Sequence, residues 1–335
     1  MRTMPKPLMC PAEVLNQDLR GRRVIVTGAN SGIGFVTAKQ LAEQGASVTL
    51  ACRNEGEGSA RADEIRAEFP NADLEVRRLD LGDLSSVRSF VDGYLADHGS
   101  LHLLINNAGV MNTPEGKTTD GFETQIGVNH LGHFLLTELL LDTLEKSAPA
   151  RVVVVSSCYH DKAMGREGVV DLDDLHFENR KYEGWVSYAQ SKLANVLHAK
   201  NLAKRLEGTG VTAVSVHPGW VRTELMRHTM PAWMQSVTRP IMGMMGMVEP
   251  WEGTQTTLYA ALAPEVEAHP GAYYSQTGTY RDKSKNAGGW PLESPNPNAH
   301  DDDMAQRLYE HSRQLVGLEA ASERQEPQAA RPPQP

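Results

Sequence analysis

The segment WVSYAQSKLANVLHAKNLAKRL places Tyr188 four residues before Lys192. On a helix this spacing puts both side chains on one face, within reach of each other. A free phenol has a pKa of about 10, too high for ready proton exchange at neutral pH. An ammonium beside it stabilises the phenolate and lowers that pKa. The pair suits proton transfer to and from an oxygen, although the same spacing also occurs on ordinary helix surfaces. Its meaning rests on what lies around it.

Several other stretches carry chemistry of their own. TGANSGIGF follows an apolar run and precedes a helical pattern. Its residues Gly28, Asn30, Ser31, Gly32, Ile33 and Gly34 allow a tight turn and aim free helix N–H groups at an anion, here a pyrophosphate. The spacing is G-x-x-x-G-x-G rather than the common G-x-G-x-x-G. The next apolar run ends in ACRN, where dinucleotide sites that prefer NAD usually carry an acid for the ribose 2′-hydroxyl. Arg53 stands there instead and favours a 2′-phosphate, hence NADP(H) over NAD(H). Glu55 and Glu57 are close enough in sequence to compete for it.

Asp80 and Leu81 end a third run, where an acid could bond an adenine amino group and a leucine flank the ring. LLINNAGV ends a fourth: Asn106 is expected to tie neighbouring strands, while Asn107, Ala108 and Gly109 leave room for a ribose. Ser156 and Ser157 end a fifth, where a hydroxyl could donate to a substrate carbonyl.

The elements that hold these residues alternate. Short β-branched runs, RRVIVTG, ASVTLACR, LEVRRLDL, LHLLINNAG, ARVVVVSS and VTAVSVHPG, are separated by amphipathic helical patterns. Such alternation implies an α/β fold with a parallel sheet covered on both faces. Ligands of such sheets bind beyond the carboxyl ends of the strands, where the residues above lie. No repeat or linker interrupts residues 20–318, so one domain is expected, preceded by an N-terminal extension of residues 1–19. GAYYSQTGTY reads as a last strand and DDDMAQRLYEHSRQLVGL as a closing helix with acids in its first turn. The Pro- and Gln-rich residues 319–335 are expected to be disordered.

The chain has 335 residues and a formal net charge of -9, which gives no general reason to expect nucleic-acid or anionic-membrane binding. Three widely spaced cysteines suggest neither a disulfide framework nor a metal site. No apolar run reaches the length of a signal core or a transmembrane anchor. A soluble, cytoplasmic protein is expected, as a monomer or homodimer. His130, His133, His160 and His217 read as packed or hydrogen-bonded histidines, and no metal ligand set emerges.

TGANSGIG, NNAG, VNHLGHF, the strand-end SS, SYAQSK and HPGWVRT occur together in this order. Over residues 20–318 the sequence thereby resembles the short-chain dehydrogenase/reductases. ACRN, NHLGHFLLT, YAQSKLAN, SVHPGWVRTEL and the late GAYYS make it most similar to their retinol-dehydrogenase-like branch. The resemblance implies a Rossmann-type doubly wound sheet of about seven strands, in the order 3-2-1-4-5-6-7. It implies Tyr188 as acid/base, Lys192 as its partner and a bond to the cofactor ribose, Ser157 as holder of the substrate oxygen, and Asn129 as holder of a water that relays protons to Lys192. Pro218, Gly219, Val221 and Thr223 would line the nicotinamide. The reaction implied is hydride transfer between NADP(H) and an apolar carbonyl or alcohol, such as a retinal-like compound, a lipid-derived aldehyde, a ketone or a steroid.

Ser157 and Tyr188 are separated by the polar insertion CYHDKAMGREGVVDLDDLHFENRKYEGW, expected as an outer flap. Seven of the 13 methionines fall in ELMRHTMPAWMQSVTRPIMGMMGMVEP, which within residues 223–250 would form an adaptable lid over an apolar substrate, or else a packing or partner surface. Two other activities stay open: reduction of a carbon–carbon double bond, as in protochlorophyllide reductases, and a cofactor-bound regulator without turnover.

Overall fold

The computed structural model describes residues 5–221 and 247–318. Thr223, nearly all of the Met-rich segment and the Pro-rich tail lie outside the described residues.

Seven parallel strands form one sheet: β1 (Arg23–Thr27), β2 (Ser47–Cys52), β3 (Leu74–Arg78), β4 (Leu103–Asn106), β5 (Ala150–Val155), β6 (Val211–His217) and β7 (Tyr273–Ser275). Their spatial order is 3-2-1-4-5-6-7, as expected. β1 pairs with β2 on one side and β4 on the other, so the strand order reverses beside β1. That reversal opens the crevice in which such sheets bind ligands.

Period-two alternation sorts the strand side chains into two cores. Ile25, Leu104, Val152 and Val154 face one way. Val24, Val26, Leu103, Ile105, Val153 and Val155 face the other. The helices are α1 (Gly32–Glu43), α2 (Glu55–Glu68), α3 (Leu84–Asp97), α4 (Gly132–Lys146), α5 (Gly184–Arg205), α6 (Pro250–Leu262) and α7 (Asp302–Leu315). Leu41 of α1, Ile65 of α2 and Leu258 of α6 cover the second core; Phe90 of α3, Phe134 of α4 and Leu202 of α5 cover the first.

α5 is buried almost all round, not only along its Leu193–Val196–Leu197–Leu202 stripe. The reason is α7, which packs on its outer side through Asn201–Gln306 and Lys200–Asp302. Residues 8–19 also join the fold: Val14 and Leu19 enter the second core, and Leu8 and Cys10 bond Gln276 and Gln255. No helix among the described residues is long and apolar enough to cross a membrane.

Two elements depart from the sequence expectation. β7 is three residues long: Ser275 pairs with His217, the last residue of β6, and also meets Gly289 in an antiparallel bridge. The segment GFETQIGVNHLGHFLLTELLLDTLEKS, whose pattern reads as one helix, begins with a short turn, Thr124–Ile126, and passes through a π-helical turn at Gly127–Leu131 before α4 starts. π turns occur mainly where a function requires a local break in α-helical geometry.

Candidate active site

Beyond the strand ends lies a cleft of about 670 Å³. It gathers nearly every expected site residue: the glycine loop, Arg53, Asp80, Leu81, Asn107, Ala108, Gly109, Ser157, Tyr188, Lys192, Pro218, Gly219 and Val221 all line it. Asn129 sits behind this wall, fully buried.

The glycine loop is built for close approach. Gly28 and Gly32 have φ of +66° and +54°, which L side chains rarely adopt. A Cβ on Gly28 would lie 2.9 Å from the Ala108 Cα, and one on Gly34 would overlap the Gly28 carbonyl. Ser31 stands at the N-cap of α1 but makes no capping bond. By contrast Asn54, Asp83 and Asp301 cap α2, α3 and α7 with their side chains. Among the described residues the first N–H groups of α1 therefore carry no side-chain acceptor, as a phosphate-binding turn requires. The Asn30 side chain turns away to Glu57 at 2.8 Å.

Arg53 is exposed and makes no hydrogen bond or ion pair among the described residues. Glu57 does not compete for it; its carboxylate accepts from Asn30 and, at 3.0 Å, from Asn54. Asp80 accepts from Gly82 N at 3.0 Å, which orients the carboxylate at the strand end. Leu81 is buried against Gly132, where any Cβ would overlap the Leu81 carbonyl.

The two asparagines of the fourth strand end divide their work differently from expectation. Asn106 bonds Thr137 of α4 at 2.8 Å, a helix and not a neighbouring strand. Asn107 makes the strand tie, donating from Nδ2 to the Thr27 carbonyl at 2.7 Å. A Cβ on Gly109 would lie 3.0 Å from Asn129 Oδ1 and 3.6 Å from Lys192 Nζ, so the glycine keeps space open before the lysine.

Asn129 occupies the π turn. Its Oδ1 accepts from Val110 N at 2.8 Å, and its Nδ2 donates to Val110 O and Ser191 Oγ, each at 2.9 Å. Its main-chain carbonyl accepts from His133 Nδ1 at 3.1 Å. The amide thus joins the loop after β4 to α5.

Ser156 and Ser157 point to different tasks. The Ser156 hydroxyl donates to the Lys192 carbonyl at 2.7 Å, fixing α5 to β5. The Ser157 hydroxyl reaches Tyr188 and accepts from Tyr159 N at 3.2 Å. Lys192 Nζ donates to the Val155 carbonyl at 3.0 Å and lies 5.8 Å from the Tyr188 ring centroid. Burial pulls the Lys192 ammonium down to about 7. Burial raises the Tyr188 phenol above its usual value, partly offset by the bond to Ser157. The phenol is therefore protonated at neutral pH in the free protein.

Several lining residues carried no signal in the sequence. Tyr159 stacks on Trp185 with centroids 4.7 Å apart, and both rings meet Tyr188 edge-on. An aromatic two residues past the strand-end serine was the available hint. Thr279 arrives from the loop after β7, with no local pattern to mark it. His217 lines the cleft with both ring nitrogens unpartnered, and burial lowers its pKa to about 3. Cys158 is buried beside Ser157, its thiol pushed up to about 11 by burial. The insertion is an outer flap over part of its length: Met164, Val169 and Glu178 are exposed, whereas His160 and Asp161 at its root are fully buried.

A family model described as short chain dehydrogenase matches residues 22–168. Human retinol dehydrogenase 12 is 46% identical over 304 residues, covering 90% of this chain and 89% of that protein. Mouse retinol dehydrogenase 11 is 48% identical over 265 residues, covering 78% of this chain and 79% of that one. A crystal structure of an uncharacterised protein from Mycobacterium paratuberculosis superposes with a TM-score of 0.71 at 36% identity, over 93% of this chain and 98% of the other. With the switch-point cleft, the open glycine turn and these relatives together, the chain belongs to the short-chain dehydrogenase family, oxidoreductases that act on CH–OH and C=O groups with a nicotinamide cofactor.

Proposed function

We propose that the cleft binds NADP(H) and interconverts an apolar carbonyl compound and its alcohol, with Tyr188 as the acid/base. The observation that carries this reading is the meeting of Tyr188, Ser157 and Lys192 on one wall of the cleft whose opposite end is the uncapped turn of α1. The residues present fit the cofactor. Gly28, Gly32 and Gly34 leave room for its pyrophosphate, and Thr223, outside the described residues, is assigned to the nicotinamide amide and the phosphates. Asp80 and Leu81 flank the adenine. Arg53, exposed and unpaired, is free to take a 2′-phosphate. When bound, the nicotinamide supplies or accepts hydride.

The chain's own residues handle the oxygen. Ser157 donates to the carbonyl oxygen and stabilises the charge that develops there. Tyr188, held protonated by burial, gives that oxygen its proton in the reductive direction. Lys192, with a pKa of about 7, is charged below neutral pH and partly charged at it, and in that form makes the phenolate left behind less costly. Asn129 anchors the Val110 loop and α5; the remaining lone pair of its carbonyl is the place for a relaying water beside Lys192. Tyr159 and Met111 give the substrate end an apolar wall. Similarity to two retinol dehydrogenases supports a retinal-like or lipid-derived aldehyde as substrate.

The test is Tyr188→Phe. Oxidation of NADPH, and the reverse reduction of NADP, is followed over a panel of aldehydes, ketones, enones and alcohols. The variant should lose roughly 10²–10⁴-fold in kcat while still binding NADPH. Near-full turnover by this variant would overturn the reading.

A further inference from the structure

His160 is buried, lies outside the contacts of the proposed reaction, and makes three specific polar connections. The last ladder bond of the fifth strand end is Ser156 N to Val216 O, at 2.7 Å. Beyond it the carbonyl of Ser157 has no strand partner. His160 supplies two: its main-chain N–H donates to Ser157 O at 3.1 Å, and its ring Nδ1 donates to the same oxygen at 2.6 Å. Because that partner is a carbonyl, Nδ1 carries the ring proton and Nε2 must accept. The Ser294 hydroxyl, 2.7 Å from Nε2, donates to it and in turn accepts from Asn296 N at 3.2 Å. Asn296 then closes the circuit, donating from Nδ2 to the His160 carbonyl at 2.6 Å and to Gly168 O at 3.0 Å.

Every member has one donor–acceptor assignment that satisfies it, so the ring is locked in one tautomer. The edge-on ring of Tyr273, 4.8 Å away, fixes its tilt. This precision is spent on a single backbone atom, the carbonyl of the residue whose hydroxyl faces Tyr188.

We propose that His160 is a positioning residue: it holds Ser157 at the geometry needed to bond the substrate oxygen, and it ties that geometry to the Ser294–Asn296 loop at the far end of the chain. This inference rests on the role given to Ser157 above. Past the end of the strand ladder, the direction of the Ser157 hydroxyl depends on its own backbone angles. A displacement of about 1 Å in such a group can cost about 10²-fold in rate.

Two amide substitutions separate the two ends of the ring. In His160→Asn the side-chain nitrogen replaces Nδ1 and keeps the bond to Ser157, but gives up Ser294. In His160→Gln the amide reaches the place of Nε2 and keeps Ser294, but gives up the side-chain bond to Ser157 and leaves only the main-chain N–H on that carbonyl. H160Q should lower kcat about 10- to 100-fold with the NADPH Kd unchanged within about twofold. H160N should keep most of the turnover that H160Q loses, although asparagine fills the site less well. Melting temperatures of both report any general loss of stability. In a Ser157→Ala background, H160Q should cost nothing further in kcat, since the atom it positions through is gone.

The inference is overturned if H160N and H160Q lose kcat equally, if the loss follows melting temperature alone, or if H160Q costs as much with S157A as without it. If S157A by itself keeps wild-type kcat, the role of Ser157 falls, and this inference with it; an impaired S157A with a fully additive H160Q removes the inference alone. Should H160Q fail to fold, Ser294→Ala gives the same test: it leaves the ring in place but frees it to turn, and its smaller loss of kcat should likewise vanish with S157A.

Discussion

The hydroxyl of Thr27 donates to Nε2 of His133 across 2.8 Å of core. The direction follows from the other ring nitrogen, which donates to the Asn129 carbonyl. The Thr27 oxygen then accepts from Asn107 N and Ala108 N, each at 2.9 Å. One hydroxyl thus joins β1, the loop after β4 and α4, whose His133 in turn holds the carbonyl of Asn129 in the π turn. Thr27→Val, nearly the same shape, would strand two N–H groups and one buried imidazole nitrogen. It should cost about 2–4 kcal/mol of stability by urea denaturation, whereas Thr27→Ser should cost far less.

Arg53 has no partner among the described residues, so its removal should leave unfolding unchanged. Arg53→Ala should raise the KM for NADPH about 10- to 100-fold, the loss of one charge-assisted contact, with little change for NADH. Steady-state kinetics with both cofactors checks this. If Arg53→Asp still preferred NADPH, the assignment would be wrong.

Glu138 on α4 is 4% exposed and receives Arg205 of α5 through both carboxylate oxygens, at 2.6 and 3.0 Å. Arg313 of α7 shares it at 3.4 Å. Glu138→Ala leaves two cations beside a vacated acceptor and should cost about 3 kcal/mol. Hydrogen exchange should speed up in residues 302–315, because the lost contact ties α7 to α4 beside the Phe134–Tyr309 ring pair.

His130, His133, His160 and His217 are held neutral by burial, at about 4, 3, 4 and 3. Each folded value lies below the unfolded value of about 6.5. Between the two, the unfolded chain binds more protons, so stability falls as pH falls. Melting temperature should therefore decline as pH falls through the range from about 6 to about 4. A flat profile across that window would show that these rings are charged or solvated in the fold.

The sheet and most of the cleft were legible because their signals are local and periodic. Strand alternation marks the core faces, and each strand end carries its own short motif, so strand order alone brings those ends together. What stayed hidden depends on contacts distant in sequence. Asn106 was assigned to a strand, yet Thr137, 31 residues on, is its partner. β7 ends where its neighbour ends, at the Ser275–His217 pair, and Gly289, distant in sequence, bridges to Ser275. Thr279, Ser294 and Asn296 lie in loops without periodicity, and single hydrogen bonds place them. The burial of His160 follows from those bonds and from no pattern around it.

The π turn at Gly127–Leu131 carries one residue more than an α-helical turn would hold. It therefore acts as a phase shift: residues before it are rotated by about 100° relative to those after it. This offset lets Asn129 face the Val110 loop while Phe134 and Leu140 keep to the core. Removing one residue here would let the segment close as unbroken α-helix, with better backbone bonding and the asparagine turned away. The most regular version of this helix is thus also the one least able to support the cleft.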